Sequence, residues 1–177
     1  MLVEVRVQSL ALDRTTNTPV VILQELNGDR VLPIWIGPGE ASAIAMQLAD
    51  MEFSRPLTHD LLCSVLTGLG GALQKVIITK VESSTYYAEM IVRRNGEVFS
   101  LDARPSDSIA VALRVAARIF AQEGLLEEAT IEIAEDESTS ETTFEQKGEV
   151  ETEGMGPEEL KEHLKRLNPE DFGRFTP

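Results

Sequence analysis

Two carboxylates occupy equivalent places in a passage of the sequence that occurs twice. Residues 38–49 align without a gap on residues 105–116, so that proline meets proline and Glu40 meets Asp107. An acid in the first turn of a helix is stabilised by the helix dipole and needs no function. Two such acids at a shared axis could instead bind a divalent ion, because carboxylate oxygens are suitable ligands. The sequence leaves both interpretations open.

A histidine and an aspartate, His59 and Asp60, follow Thr58, which we expect to be the N-cap of another helix. A helix N-terminus disfavours an imidazolium, so a neutral His59 could accept a proton or bind a metal. The alternative is a surface histidine beside an Asp60 that only stabilises the helix dipole.

Three further polar residues lie around the second copy of the repeated proline. Asp102 and Arg104 precede it, where a strand is expected to end and a helix to begin, and Ser106 follows as a candidate N-cap. Arg104 could bind a phosphate through two hydrogen bonds, or it could pair with a neighbouring carboxylate. Trp35, between apolar neighbours, is expected in the core, with base stacking as the alternative.

The composition limits the classes of function. The chain has 177 residues and a formal net charge of −14, most of which lies after Thr130. This balance argues against tight, non-catalytic binding of nucleic acid, but not against an enzyme that gathers carboxylates around a metal. Its one cysteine, Cys63, cannot form an internal disulfide, and no signal-peptide pattern or membrane-spanning apolar run is visible. We expect a cytoplasmic protein.

Apolar periodicity and turn residues predict an α+β fold with mainly antiparallel pairing. Each half contributes three strands, a tight Asn-Gly turn and a helix, so the fold is one domain of two repeats. A short apolar segment at 119–120 should follow the last helix and lead to a turn at 125–126. The predicted strands cover residues 3–8, 20–26, 31–36, 75–82, 85–93, 97–102 and 130–134, and the predicted helices cover residues 40–51, 59–69 and 107–119.

Composition also divides the chain. The domain should end near residue 134, followed by an acidic disordered linker at 135–156 and a short helical segment within 157–177. Strands such as residues 20–23 and 76–78 are apolar on both faces, more than one thin layer would bury. We therefore expect a homo-oligomer, at least a dimer.

Four phrases of the sequence together resemble the bifunctional nuclease family. These are Leu-Pro-Ile-Trp-Ile-Gly at 32–37, Glu-Ala at 40–41, Arg-Pro-Leu-Thr-His-Asp-Leu at 55–61 and Asp-Ala-Arg-Pro-Ser-Asp-Ser-Ile-Ala at 102–110. The resemblance implies a compact α+β domain of two strand-and-helix repeats, assembly into oligomers, and nuclease activity on both DNA and RNA.

Our hypothesis from the sequence is a phosphodiesterase that acts on RNA and DNA with the help of Mg²⁺ or Mn²⁺. The alternative is a non-catalytic module that binds a small anion or a protein partner in the same groove. The candidate catalytic residues are Glu40, His59, Asp60 and Asp107, the candidate substrate-binding residues are Arg104 and Ser106, and the candidate metal ligands are Glu40, Asp102 and Asp107.

Overall fold

Each half of the sheet is an antiparallel meander of three strands. The computed structural model describes residues 1–13 and 16–129. In both halves consecutive strands pair with one another, as the hydrophobic patterns and turn residues predicted. The strands are β1 (Leu2–Leu12), β2 (Pro19–Glu25) and β3 (Val31–Trp35) in the first half, and β4 (Gly71–Glu82), β5 (Thr85–Arg94) and β6 (Glu97–Ala103) in the second.

A seventh strand, β7 (Arg118–Gln122), joins the two meanders into one sheet. The strand order is β3-β2-β1-β7-β4-β5-β6, and β7 pairs antiparallel with β1 and parallel with β4. The expectation that residues 119–120 only follow a helix is therefore wrong. Ala116 adopts the left-handed conformation with φ of 52° and ends the helix, and Ile119 and Ala121 then alternate into the core.

The helices pack against the sheet and against one another. In the first half α1 (Pro38–Leu48) follows β3 and α2 (Thr58–Gly68) precedes β4, while α3 (Pro105–Val115) follows β6. A last helical segment, α4, covers residues 123–129. Of α1, α2 and α3, helix α3 is the most buried, and it contacts α1, α2 and the strands β4, β5 and β7. By contrast, α2 has no fully buried residue.

The predicted N-caps of two helices are wrong by one or two positions. Helix α2 is capped by Leu57 and α3 by Arg104, so that Thr58 and Ser106 are already helical. In α3 a proline fills the first helical position, where its missing N–H costs nothing. In α2 the backbone N–H of Leu57 donates to Oδ2 of Asp60 at 2.8 Å, so the acid three residues after the N-cap accepts from the N-cap backbone, as in one half of a capping box.

The structure confirms the α+β class and the mixed, mainly antiparallel sheet. It also confirms the repeat, since each meander leads into a helix that begins with proline and carries an acid in its first turn. In the described ranges no helix is long and apolar enough to cross a membrane. The predicted strand at 130–134, the linker at 135–156 and the C-terminal segment at 157–177 lie outside the described residues.

Candidate active site

The first turns of helices α1, α2 and α3 carry an acid at the same position. Glu40, Asp60 and Asp107 each lie three residues after the N-cap of their helix. An acid at this position is favoured by the positive end of the helix dipole. Hydrogen bonds and ion pairs connect the starts of these three helices. The acids therefore contribute to one polar cluster that also includes His59 and Arg104.

Arg104 connects the two repeats. Its Nε donates to Oδ2 of Asp107 at 2.7 Å, and its Nη2 lies 2.8 Å from Oε1 of Glu40. The two acids aligned by the internal repeat therefore bind one guanidinium. The side chain of Arg104 is still 66% exposed, so part of its surface remains open to a ligand.

His59 approaches the same carboxylate from the start of α2. Its Nε2 lies 3.1 Å from Oδ1 of Asp107, and the histidine side chain is only 13% exposed. Its other ring nitrogen, Nδ1, makes no hydrogen bond with the described residues. Since no buried polar side-chain atom among them lacks a partner, Nδ1 reaches solvent. When Nε2 carries the proton and donates to Asp107, Nδ1 is free to accept one.

Asp107 is held in its charged form. Burial acts to raise the pKa of this carboxyl group, but hydrogen bonds from Arg104 and His59 outweigh burial and lower the pKa below its usual value. An ionised Asp107 fixes the tautomer and the orientation of the imidazole, as a carboxylate does beside a catalytic histidine.

Asp60 has a different environment from the other two acids. Its Oδ1 accepts a hydrogen bond of 2.6 Å from Nε of Arg114, whose side chain is only 7% exposed. Arg114 also donates to the backbone carbonyls of Ala110 and Ala43 and so ties α1, α2 and α3 together. Burial acts to raise the pKa of Asp60, but the bonds from Arg114 and Leu57 lower it overall.

The structure does not bring Asp102 to the cluster. This residue lies exposed on β6 opposite Glu89 of β5, and its charge acts on Lys80, whose pKa it helps to raise after the larger effect of Glu82. No hydrogen bond or ion pair joins it to Glu40 or Asp107 in the described part of the chain.

A cleft of about 250 Å³ lies beside the cluster. Residues that follow both edge strands line it, namely Gly37 after β3 and Arg104 after β6, so the sheet curls until its two edges approach one another. Ser106 also lines the cleft, and its hydroxyl takes part in no hydrogen bond among the described residues. Arg104 and Ser106, which sequence analysis selected as substrate-binding candidates, therefore share one surface.

Trp35 is not in the core, contrary to the sequence prediction. It is 51% exposed and lines the same cleft. The preceding residue, Ile34, is buried, and because side chains alternate along a strand, Trp35 points away from the core. Among the described residues β3 is an edge strand, so no strand of this part of the chain pairs beyond Trp35.

Two residues that shape the site, Arg114 and Gly37, were not predicted from the sequence. Arg114 is seven residues after Asp107, two turns along one face of α3, but a basic residue in a last turn is expected from the dipole alone. At Gly37 a Cβ atom would collide with Oε2 of Glu40, so this glycine leaves room for the carboxylate. Burial raises the pKa of the Cys63 thiol, which disfavours the thiolate form.

The site offers carboxylate ligands for a hard divalent ion such as Mg²⁺, but the described residues supply too few of them to hold the ion with side chains alone. Across residues 1–13 and 16–129 no three His, Cys, Asp or Glu side chains are close enough to hold a metal together. Mg²⁺, however, is commonly bound by one or two carboxylates together with substrate phosphates. Glu40 and Asp107 supply two carboxylates bridged by one arginine, and with a neutral His59 the cluster has a net negative charge, which favours a cation.

The fold and the cluster together define a two-repeat α+β domain with a histidine–carboxylate pair at the junction of its halves. Residues 21–134 match the bifunctional nuclease domain, and the chain belongs to that family.

Several curated proteins are similar to this chain. An uncharacterised protein of Mycobacterium tuberculosis is 42% identical over 169 residues, which is 96% of this chain and 97% of that protein. Bifunctional nuclease 1 of Oryza sativa subsp. japonica is 27% identical over 105 residues, or 58% of this chain and 32% of the plant protein. Bifunctional nuclease 1 of Arabidopsis thaliana is 25% identical over 100 residues, 54% of this chain and 31% of that protein.

Proposed function

We propose that this protein is a nuclease that hydrolyses phosphodiester bonds in RNA and DNA. The observation that carries the proposal is the pair formed by His59 and Asp107, in which an ionised carboxylate orients an imidazole whose second nitrogen is not fully buried and makes no hydrogen bond with the described residues. Membership of the bifunctional nuclease family and similarity to the plant proteins named above support the same conclusion.

His59 acts as the general base. Its Nδ1 accepts a proton from water, the water oxygen forms a bond to phosphorus, and the bond from phosphorus to the leaving ribose or deoxyribose oxygen breaks. A positioned base of this kind contributes roughly 10²–10⁴-fold to a rate. Asp107 holds the ring and stabilises the imidazolium that forms, and the proton then returns to solvent or to the leaving oxygen.

Arg104 binds the phosphate. Its exposed guanidinium lines the cleft while Glu40 and Asp107 fix its position, so it can donate to a non-bridging oxygen without first being ordered. Ser106 is only 6% exposed but lines the same cleft, so its hydroxyl would be a second donor. Asp60 supports the site from beneath through Arg114, and we assign it a structural role.

Mg²⁺ or Mn²⁺ is part of the proposal. Glu40 and Asp107 would hold the ion, which would supply Lewis-acid stabilisation of the phosphate charge. The two acids already neutralise Arg104 and leave the cluster with a negative charge, so it is better suited to a cation with a phosphate than to a free anion. This observation favours the nuclease over an anion-binding module.

The test is cleavage of labelled single-stranded RNA and DNA by highly purified protein over a titration of Mg²⁺ and of Mn²⁺. His59→Ala should lower the rate roughly 10²–10⁴-fold with metal affinity largely kept. His163→Ala, which changes the other histidine of the chain, is the matched control. Equal rates for wild type and His59→Ala would show that the cleavage comes from a contaminant or from a different site.

We also propose that the protein is cytoplasmic and assembles with copies of itself. Helix α2 presents a row of exposed apolar side chains, which monomeric proteins seldom leave uncovered. These are Leu61, Leu62, Val65 and, just beyond the helix end, Leu69. Light scattering at micromolar concentration should give at least a dimer mass, and Leu62→Glu should lower it. A wild-type monomer would contradict the proposal.

A further inference from the structure

Trp35 is a large aromatic side chain that the fold holds in position but does not bury. It is the only tryptophan of the chain and is half exposed at the end of β3. Its indole Nε1 donates to Oδ2 of Asp13 at 2.9 Å, so the polar edge of the ring is paired and its orientation is restricted. A tryptophan placed only for stability would be expected to bury most of its surface, because that burial is its main contribution.

The surroundings of Trp35 are those of a site for a nucleotide. The indole and the ring of Tyr86 line the cleft that also contains Arg104 and Ser106. An aromatic face beside an arginine is the combination that proteins use for single-stranded nucleic acids, where the cation contacts the backbone and the ring stacks on a base. At about 250 Å³ the cleft is smaller than a site for a drug-sized ligand, which is roughly 300–1,000 Å³, so it suits one nucleoside unit.

We propose that Trp35 stacks on an unpaired base adjacent to the phosphate bound by Arg104, and that the protein therefore prefers single-stranded substrates. This inference rests on the proposed nuclease function. In a duplex both faces of each internal base are covered by its neighbours, so the indole can stack only on a base that has left such a stack. Because every base has an aromatic face, the contact selects unpaired strands without selecting a sequence.

The single tryptophan makes the contact directly measurable. The full-length protein is titrated in Mg²⁺ with a short single-stranded oligothymidylate whose phosphorothioate linkages resist cleavage. Binding is followed separately through the anisotropy of a label on the oligonucleotide. The emission of Trp35 should be quenched in parallel with binding, and the corresponding duplex should quench much less at equal occupancy.

Variants separate stacking from general binding. Trp35→Ala should weaken binding of the single strand, and raise KM for its cleavage, roughly tenfold to a hundredfold while kcat changes little. Trp35→Phe, which keeps an aromatic ring, should retain most of the affinity. Phe99→Ala removes an exposed aromatic side chain from β6, outside the residues that line the cleft, and should leave binding unchanged.

Three results would overturn the inference in distinguishable ways. If the oligonucleotide binds and is cut but neither quenches Trp35 nor depends on it, stacking is wrong and the nuclease function stands. If the emission changes on dilution of the protein alone, a second copy covers the indole instead. If wild-type protein neither binds nor cuts any single strand, the proposed function fails and the stacking inference fails with it.

Discussion

Nε2 of His59 lies 3.1 Å from Oδ1 of Asp107, so the first turns of two helices that are 48 residues apart in the chain meet at one hydrogen bond. The pair depends on tertiary packing, because His59 lies in the first turn of α2, Asp107 lies in the first turn of α3, and the two helices contact each other. Its chemistry therefore depends on how firmly the two helices are held together.

The first prediction concerns this pair. Asp107→Asn should lower the rate of cleavage roughly 10²–10⁴-fold, since the amide can neither fix the productive tautomer nor stabilise an imidazolium. Combined with His59→Ala it should cost little more than Asp107→Asn alone, because His59 acts as a base only when Asp107 orients it. Single-turnover cleavage measures all three variants, and Asp29→Asn, an exposed aspartate in the β2–β3 turn, is the control. Additive losses would show that the residues act independently.

The second prediction uses two neighbouring glycines. In Gly37→Ala the new methyl group collides with Oε2 of Glu40 and should displace this carboxylate from Arg104. Gly39→Ala meets nothing within 4 Å and should at most stabilise the protein, by about 1 kcal/mol or less. Cleavage should therefore fall in Gly37→Ala alone. When Glu40→Gln is already present, adding Gly37→Ala should lower the cleavage rate only slightly further. An equally large fall in rate would show that Gly37→Ala does not act through Glu40.

The third prediction concerns Arg114. Arg114→Met keeps most of the apolar stem but removes one hydrogen-bond donor from Oδ1 of Asp60 and one from each of two backbone carbonyls. Breaking a fully buried ion pair costs about 3–5 kcal/mol, and because Asp60 is 34% exposed we expect about 2–3 kcal/mol. Urea unfolding measures the loss. Arg118→Met, at a 68% exposed arginine 3.6 Å from Glu4, should change the free energy of unfolding by less than about 1 kcal/mol.

The fourth prediction is a dependence of stability on acid. The pKa of Asp60 is lower in the folded protein than its ordinary value of 3.8. Its ion pair therefore stabilises the fold fully above that value, and this contribution is lost as the pH falls through the lower, folded pKa. The difference in free energy of unfolding between wild type and Asp60→Asn should shrink as the pH is lowered below 3.8. A difference that stays constant down to the acid transition would contradict this assignment.

Much of the framework could be predicted from the sequence because its signals are local. Alternating valines, Asn-Gly turns and a repeated proline with an acid two residues later specify strands, hairpins and helix starts over a few residues each. The repeat also predicted that Glu40 and Asp107 approach one axis, and the structure brings both within reach of Arg104.

The larger errors arose where long-range order decides the outcome or where a local stop signal is missing. Trp35 follows an apolar run that is typical of a buried strand, and only the strand order shows that β3 is an edge. Helix α3 ends at an alanine in the left-handed conformation, where a glycine or proline would have marked the stop. The role of Arg114 in joining α1, α2 and α3 was not predicted, because its partners Asp60 and Ala43 lie on two other helices.

Strand β7 has a consequence for how the protein is made. The first residues of β1 pair with β7, which follows the other described strands in the chain but lies at the centre of the sheet. Leu2 pairs with Gln122 and Val5 with Ile119. While the ribosome synthesises the chain, the first meander can form early, but this edge of β1 keeps its backbone groups unpaired until residue 122 emerges. Open edges recruit strands from other chains. The nascent chain is thus the form most exposed to aggregation, and slower elongation before β7 should lower the yield of native protein.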